Sequence, residues 1–398
     1  MQQLEIDFRG KVTLEELFAA YFECRKNKRK TKNAQKFEMN YEERLIKLRD
    51  EINNGTYKIG RSIAFVVEKP VKREIFAADF RDRVVHHLVI QKLNALFEKE
   101  FIYDSYSCRV GKGTLFGVKR LSRFIRACSE NFTKETYVLK LDIKGFFMHI
   151  NREILFRKLQ KFIESKYVVA DQGLLIEIVE QIVQNDCTER CFVKSPRWKW
   201  DDLPPDKSLF NNDGSGIPIG NLTSQVFANF YLSTFDHFMK STLKLRYYGR
   251  YVDDFFVVHN DKDYLKNLIP VIEKFLKDEL HLTLHPKKRI LQNAKHGVKF
   301  TGAFIKQHLI YIDKRAKGNL YQVIDKWNKD IESESKKNVL NSERFTPEEF
   351  KHFQASVNSY LGFMVHYRTY NLRKKMCQKI SPRFHIRFKP KKSYTKIG

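Results

Sequence analysis

Two adjacent aspartates, Asp253 and Asp254, lie between two apolar runs in the stretch RYYGRYVDDFFVVHN at residues 246–260. Aromatic and β-branched runs on either side of a short break predict a β-hairpin with the acids at its tip. Two carboxylates at one tip repel each other, and apolar neighbours raise the cost of their charge. The pattern therefore favours a divalent cation beside them.

A third acid, Asp142, ends the run TYVLKLDI at residues 136–143, which is predicted to form a strand. From a neighbouring position in the same sheet it would complete the site. Three carboxylates, with water and phosphate oxygens, suffice for two Mg²⁺ ions, and Mn²⁺ is able to substitute. Such a centre activates a hydroxyl and neutralises charge on phosphates.

The charge of the chain points to a polyanionic partner. Its 398 residues include 74 Lys and Arg against 47 acidic residues, a formal net charge of +27. Nucleic acid is the commonest partner of so basic a chain, although a merely basic or ribosome-associated protein has the same composition.

We expect no membrane span, because no stretch approaches about 18 apolar residues. Six scattered cysteines suggest no disulfide framework, and Cys187 and Cys191 lack a second ligand pair for zinc.

Hydrophobic periodicity predicts a mixture of helices and strands. The expected helices are residues 13–31, 84–98, 173–184, 221–243, 263–280, 317–334 and 347–366. Residues 186–215, rich in polar residues and proline, are expected to be irregular. An aromatic stripe along 221–243 is interpreted as core.

The tetrad YVDD at residues 251–254 resembles the signature of reverse transcriptases. Further blocks occur in that family's order over about residues 65–305. They are KP at 69–70, REI at 73–75, DFRDRVVHH at 79–87, SYSCR at 105–109, GKGT at 111–114, KLDIKGFF at 140–147, and Gly302 at the position of the primer-grip turn.

The resemblance implies an α+β fold, a right-hand polymerase whose antiparallel palm sheet packs on helices and whose thumb is helical. The implied divisions are a basic helical extension (1–44), fingers (45–105 and 152–222), palm (106–151 and 223–303), and thumb with a basic tail (304–398). It also implies an RNA-directed DNA polymerase that uses dNTPs and binds template RNA and the RNA–cDNA hybrid.

Residue roles follow from the same resemblance. Asp142, Asp253 and Asp254 match the catalytic metal ligands, and Lys288 matches a general acid for pyrophosphate, with Lys287 as the alternative. Phe147 stands where a ring blocks a ribose 2′-hydroxyl, although core packing is the other interpretation. The remaining expected nucleotide-site residues are Lys69, Arg73, Ile219, Gly220, Gln225 and Tyr251.

One block departs from the usual family pattern. In GIPIGNLTSQ at 216–225, Ile219 replaces a glutamine and Gln225 replaces a proline. This pair, with SYLG at 359–362, resembles the reverse transcriptases of diversity-generating retroelements. That group implies copying with errors at template adenines, an accessory variability determinant protein, a structured RNA, and the cytoplasm of a bacterial cell as the location, with a phage or mobile element as the source.

Several alternatives stay open. A retron, antiphage-defence or group II intron reverse transcriptase has the same catalytic acids, although an intron protein usually needs a region beyond the thumb. A non-catalytic RNA-binding scaffold is disfavoured because all three acids are present. No compact helix-turn-helix or zinc-finger pattern supports a DNA-binding regulator.

Overall fold

The computed structural model describes residues 10–26, 28–29, 31–68, 71–212, 214–335, 346–382 and 389–398. The chain divides into two compact units. The first comprises Met1–Val110, Lys140–Phe256 and Tyr264–Arg289, and the second comprises Gly111–Leu139, Val257–Asp263 and Ile290–Gly398. In the described ranges, no helix has the length and apolar character that crossing a membrane requires.

Helices and strands alternate irregularly along the chain. The helices are α1 (Leu14–Arg25), α2 (Lys32–Glu38), α3 (Tyr41–Asn53), α4 (Phe80–Glu100), α5 (Thr114–Cys128), α6 (Phe146–His149), α7 (Arg152–Lys166), α8 (Gln172–Gln184), α9 (Leu222–Tyr231), α10 (Ser233–His237), α11 (Lys262–Leu280), α12 (Lys314–Ser335), α13 (Pro347–Met364) and α14 (Tyr370–Lys379). The strands are β1 (Ser62–Val67), β2 (Arg73–Ala77), β3 (Tyr137–Asp142), β4 (Cys191–Val193), β5 (Tyr248–Tyr251), β6 (Asp254–His259), β7 (Ile290–Asn293), β8 (Val298–Phe300), β9 (Ala303–Lys306) and β10 (Leu309–Ile312).

Two predicted helices are wrong in their extent. The helix expected at 13–31 ends at Arg25, and a second helix starts at Lys32, because the Thr31 hydroxyl caps it by accepting from the Ala34 N–H at 3.3 Å. The helix expected at 221–243 is interrupted after Tyr231. There the Ser233 hydroxyl donates to the Phe230 carbonyl at 2.8 Å, a back-bond that bends helices.

The core of the first unit is strongly aromatic. Phe97 on α4 stacks on Phe162 of α7 with ring centroids 5.3 Å apart, and Phe230 of α9 lies 5.2 Å from the same Phe97 ring. Phe227 and Phe230 are both buried. The interpretation of the aromatic stripe as core is therefore confirmed for these residues.

A three-stranded sheet orders the segment that was expected to be irregular. In the order β2-β1-β4, β1 pairs antiparallel with β2 and parallel with β4. The buried Glu74 carboxylate of β2 anchors the following residues by accepting from the Trp200 indole N–H and the Ser208 hydroxyl at 2.6 Å each, and from the Leu209 N–H at 2.7 Å. The prediction of an irregular 186–215 segment is wrong at β4, because the pairing partner of this short strand lies far away in sequence.

The second unit contains a three-stranded sheet and a small helical core. The strands run in the order β10-β9-β8, all antiparallel, with Gly302 at a φ of +85° in the turn between β8 and β9. Buried side chains of α12, α13 and α14 pack with Ile397. The Asn358 side chain fixes that residue by donating to its carbonyl at 2.8 Å and accepting from its N–H at 2.7 Å.

Candidate active site

The three predicted aspartates lie on neighbouring strands. Asp142 is the last residue of β3, Asp253 lies in the turn, and Asp254 is the first residue of β6, with β3 next to β6 in the sheet order β5-β6-β3-β7. The two backbones meet directly, because the Ile143 N–H donates to the Asp253 carbonyl at 3.2 Å. Residues more than 100 positions apart in sequence are thus brought to one place.

Burial raises the pKa of both adjacent acids, Asp253 and Asp254. Burial, followed by the negative charge of Asp142, raises the pKa of Asp253 to about 6. Burial also raises the pKa of Asp254 to about 6, although the nearby Lys140 ammonium opposes the rise. Carboxyls that resist ionisation in this way are stabilised by a nearby cation.

Two lysines contact these acids. The Lys140 ammonium lies 3.0 Å from one oxygen of Asp254, and the Lys288 ammonium lies 2.9 Å from both oxygens of Asp142. Lys288 therefore stands beside the carboxylates, as its predicted role requires. Lys287 contributes a backbone N–H that donates to the His285 ring at 3.2 Å.

The donor set fits divalent cations that are also held by substrate. The Asp254 Oδ1 atom is buried without a hydrogen-bond partner, so an oxygen is available that a cation would satisfy. Among the described residues, no three acidic, histidine or cysteine side chains form a ready-made metal cluster. Mg²⁺ accepts such an open arrangement, because it usually binds one or two carboxylates and takes its other ligands from water and phosphates.

The turn that carries the acids is strained. Val252 adopts a φ of +56°, in the left-handed region. This conformation costs an L-residue roughly 1–2 kcal/mol, and a β-branched side chain makes it rarer still. The predicted hairpin is present, with Val252 and Asp253 as its two-residue turn. Of the two adjacent acids, only Asp253 lies in the turn, because Asp254 is already the first residue of β6.

Phe147 and Ile219 pack against the same apolar cluster. Both are partly buried against Met148, Leu209 and other side chains. Backbone bonds fix the two segments, since the Ile217 N–H donates to the Phe147 carbonyl at 2.9 Å and the Phe76 N–H donates to the Ile219 carbonyl at 3.0 Å.

The neighbouring Gly220 is required by both conformation and space. Its φ is +128°, and a Cβ atom there would come within 2.8 Å of the Ile75 side chain. A side chain at this position would therefore displace β2, which borders the Ile219 segment.

Gln225 and Tyr251 both lie near Cys108, which is not among the predicted site residues. The exposed Cys108 thiol donates to the Gln225 side-chain oxygen at 3.3 Å. Burial raises the pKa of Tyr251, and the phenol is also close to Cys108 and to the Ser107 side chain. Cys108 belongs to the SYSCR block, but the block alone did not indicate its contact with Gln225.

The two predicted triphosphate contacts are placed differently. Arg73 is an exposed residue at the start of β2, paired in register with Val67 of β1. Lys69 lies outside the described residues. The structure thus brings Arg73 to the end of the β1–β2 hairpin.

Comparison with known proteins identifies the family. The model of the family "Reverse transcriptase (RNA-dependent DNA polymerase)" matches residues 69–305. The chain belongs to the reverse transcriptase family. The predicted enzyme class, an RNA-directed DNA polymerase and hence a nucleotidyltransferase, is confirmed for this domain. The predicted fold class, a right-hand polymerase of mixed helices and antiparallel sheets, is also confirmed.

The chain is also similar to the putative COX1/OXI3 intron 2 protein of Saccharomyces cerevisiae, a curated relative that is 18% identical over 322 residues. The match covers 66% of this chain but only 34% of the yeast protein, so the chain spans about a third of that relative's length.

Two solved structures are similar at low identity. Telomerase from Candida albicans, bound to a fragment of telomeric RNA, is 12% identical, with 88% of this chain and 67% of that chain covered and a TM-score of 0.48. Apo telomerase from Candida tropicalis, truncated from its C-terminal domain, is 16% identical, with 64% of this chain and 55% of that chain covered and a TM-score of 0.46. At these values the likeness gives no information about what this chain binds.

Proposed function

We propose that this chain synthesises cDNA from dNTPs on an RNA template at the site formed by Asp142, Asp253 and Asp254. The observation that carries the proposal is the meeting of the β3 end with the Val252–Asp253 turn, joined by the bond from Ile143 to the Asp253 carbonyl. Divalent ions bound at such a site would supply activation of the primer 3′-hydroxyl and neutralisation of charge on the phosphates. The three carboxylates would hold them.

The chain's own residues orient the reactants around these carboxylates. Lys140 lies against Asp254, and its contact favours the ionised carboxylate. Lys288 is within reach of a leaving phosphate bound near Asp142, and its ammonium carries protons that pyrophosphate needs as it departs. The Phe147 ring, seated against an apolar cluster, would exclude a ribose 2′-hydroxyl by shape.

The proposed functional divisions are fingers at 45–105 and 152–222, palm at 106–151 and 223–303, and thumb at 304–398.

The template source that we propose is a diversity-generating retroelement, and the support is the block at 216–225 with Ile219 and Gln225. Ile219 packs among apolar side chains and offers the base pair only shape. A polar side chain left unpaired by a wrong base discriminates strongly, whereas apolar contact discriminates weakly. We therefore expect errors, mainly at template adenines. A structured retroelement RNA and an accessory variability determinant protein are the proposed partners, in the bacterial cytoplasm.

Sequencing of the cDNA tests this proposal. Wild-type protein, supplied with its native RNA and the accessory protein, is expected to give cDNA with changes concentrated opposite adenines. Ile219→Gln should lower the adenine error rate, with Ile219→Asn as a second polar variant and Ile219→Val as the apolar control that keeps the wild-type spectrum. An unchanged spectrum in both polar variants would rule out the role of Ile219.

An intron-encoded reverse transcriptase is the second candidate, favoured by the similarity to the yeast intron 2 protein. Faithful cDNA at template adenines, together with tight binding to an intron RNA, would select it over the retroelement enzyme. Repeats that differ at adenines near the gene would select the retroelement enzyme. Both candidates use the same three carboxylates.

A further inference from the structure

Arg250 of β5 is fully buried although it carries a charge. Burying a charge is costly unless it is paired and hydrogen-bonded. Here every guanidinium nitrogen donates. The acceptors are the two Asp236 oxygens at 2.8 and 2.5 Å, the Asn229 side chain at 3.1 Å, the Val252 carbonyl at 2.9 Å, and the Asn229 carbonyl and Ser105 hydroxyl at 3.4 Å.

The partners of this guanidinium are themselves fixed. Asp236 is fully buried and also accepts from the Tyr248 hydroxyl at 2.6 Å. The Arg250 backbone is held on both sides, because its N–H donates to the Asp104 carbonyl at 2.9 Å and its carbonyl accepts from the Tyr106 N–H at 3.0 Å. The backbone that carries the Arg250 side chain is therefore held in place, and the planar guanidinium has little freedom to reorient.

One of these acceptors belongs to the turn that carries the catalytic acids. Val252 is the residue with a φ of +56°, and Asp253 and Asp254 follow it directly. Such backbone strain persists only where the surroundings over-determine the conformation. The hydrogen bond from the Arg250 Nη1 atom to the Val252 carbonyl holds the Val252 backbone in this conformation. Its donor, Arg250, lies only two residues before Val252.

We propose that Arg250 is a positioning residue for the reaction. Held by Asp236, its guanidinium fixes the Val252 carbonyl, and this sets the orientation in which Asp253 and Asp254 present their carboxylates. The inference rests on the proposed polymerase function. The competing explanation is that Arg250 only stabilises the fold.

Three variants separate these explanations. Arg250→Lys keeps the charge but replaces the fork by a single ammonium, which cannot serve Asp236 and Val252 together. A triple variant, Tyr248→Phe with Asp236→Leu and Arg250→Met, replaces the buried polar network by apolar side chains, an exchange that often preserves stability. Tyr248→Phe alone is the matched control, because it weakens the network around Asp236 and leaves the bond to Val252 in place.

Each variant is assayed below its own thermal transition for primer extension and, without nucleotide, for Mn²⁺ binding by isothermal titration calorimetry. We expect Arg250→Lys and the triple variant to lose at least tenfold in kcat with KM for dNTP within threefold, and to bind Mn²⁺ more weakly. Tyr248→Phe should keep both values. A folded triple variant with wild-type kcat and Mn²⁺ affinity would overturn the proposal; if the triple variant is unfolded, Arg250→Lys decides on the same readouts.

The two levels of the proposal fail in different ways. A wild-type protein that extends no primer under any condition contradicts the polymerase function, and the Mn²⁺ titrations then still test whether Arg250 shapes the carboxylate site. Normal extension by wild type and by both Arg250 variants contradicts only the positioning role.

Discussion

The adjacent residues Phe146 and Phe147 differ in burial. Both follow Gly145, whose left-handed φ of +52° turns the chain into the short helix α6. Phe146 is buried, whereas Phe147 is half-buried and lies at a T-shaped angle to it, with centroids 5.4 Å apart. Only the second ring retains a surface that could contact a substrate.

Removal of the Phe147 ring should therefore relax sugar selection. We expect Phe147→Ala to lower the ratio of kcat/KM for dNTP over rNTP at least tenfold, because space for a 2′-hydroxyl is opened. Phe147→Tyr keeps the ring and should retain the preference. Steady-state incorporation of one nucleotide measures both ratios, and equal ratios in wild type and Phe147→Ala would leave Phe147 as a packing residue.

The sequence indicated some of the site residues and missed others for a physical reason. Asp142, Asp253, Asp254 and Lys288 stand in short local patterns, and the structure brings them together, while their catalytic roles stay predictions. The pairing of Lys140 with Asp254 could have been suspected, since Lys140 and Asp142 share one face of β3. Other contacts, such as Cys108 with Gln225, join distant segments through tertiary packing and leave no local pattern.

At the scale of elements, helix α4 contains a buried histidine that should make stability depend on pH. His86 is buried, its ring is bonded to the Thr223 hydroxyl at 3.1 Å, and burial lowers its pKa to about 3. In the unfolded chain it titrates near 6.5. Below that pH the unfolded state binds a proton at this histidine and the folded state does not, so stability is lost as pH falls.

Because of His86, the free energy of unfolding is expected to fall by about 2 kcal/mol between neutral pH and pH 5. His86→Gln cannot titrate, so its free energy of unfolding should fall by that much less over the same interval. Denaturant unfolding of both proteins at the two pH values measures the difference. His87→Gln should show nearly the same difference, because burial lowers the pKa of His87 to about 4, which also lies below pH 5. Identical pH dependence in wild type and His86→Gln would contradict the prediction.

Element types were predictable, and element ends were less so. The strand expected at 136–143 and the helix expected at 173–184 match β3 and α8 closely. The break between α9 and α10 is accompanied by a side-chain back-bond, and the strand β4 depends on a distant partner strand; hydrophobic periodicity records neither. The α+β class itself followed from the family resemblance rather than from periodicity.

At the scale of the whole molecule, the formal charge of +27 should dominate binding to RNA. Release of counterions from the phosphates makes such affinity fall steeply with salt. We expect the dissociation constant for a single-stranded RNA to rise at least about a hundredfold between about 50 and 200 mM salt, as measured by fluorescence anisotropy. Thermal melts at both salt concentrations control for unfolding, and a flat response would contradict an electrostatic RNA interface.

The most direct measurement is templated extension of a primer on RNA with dNTPs and Mg²⁺, comparing wild type with Asp253→Asn. Asp278→Asn, at an exposed acid on α11, is the matched control. Extension by wild type and Asp278→Asn, with loss of at least a thousandfold in Asp253→Asn at unchanged RNA affinity, is the result that we predict. Equal extension by Asp253→Asn, or none by wild type with its native RNA and accessory protein, would contradict polymerisation at this carboxylate site.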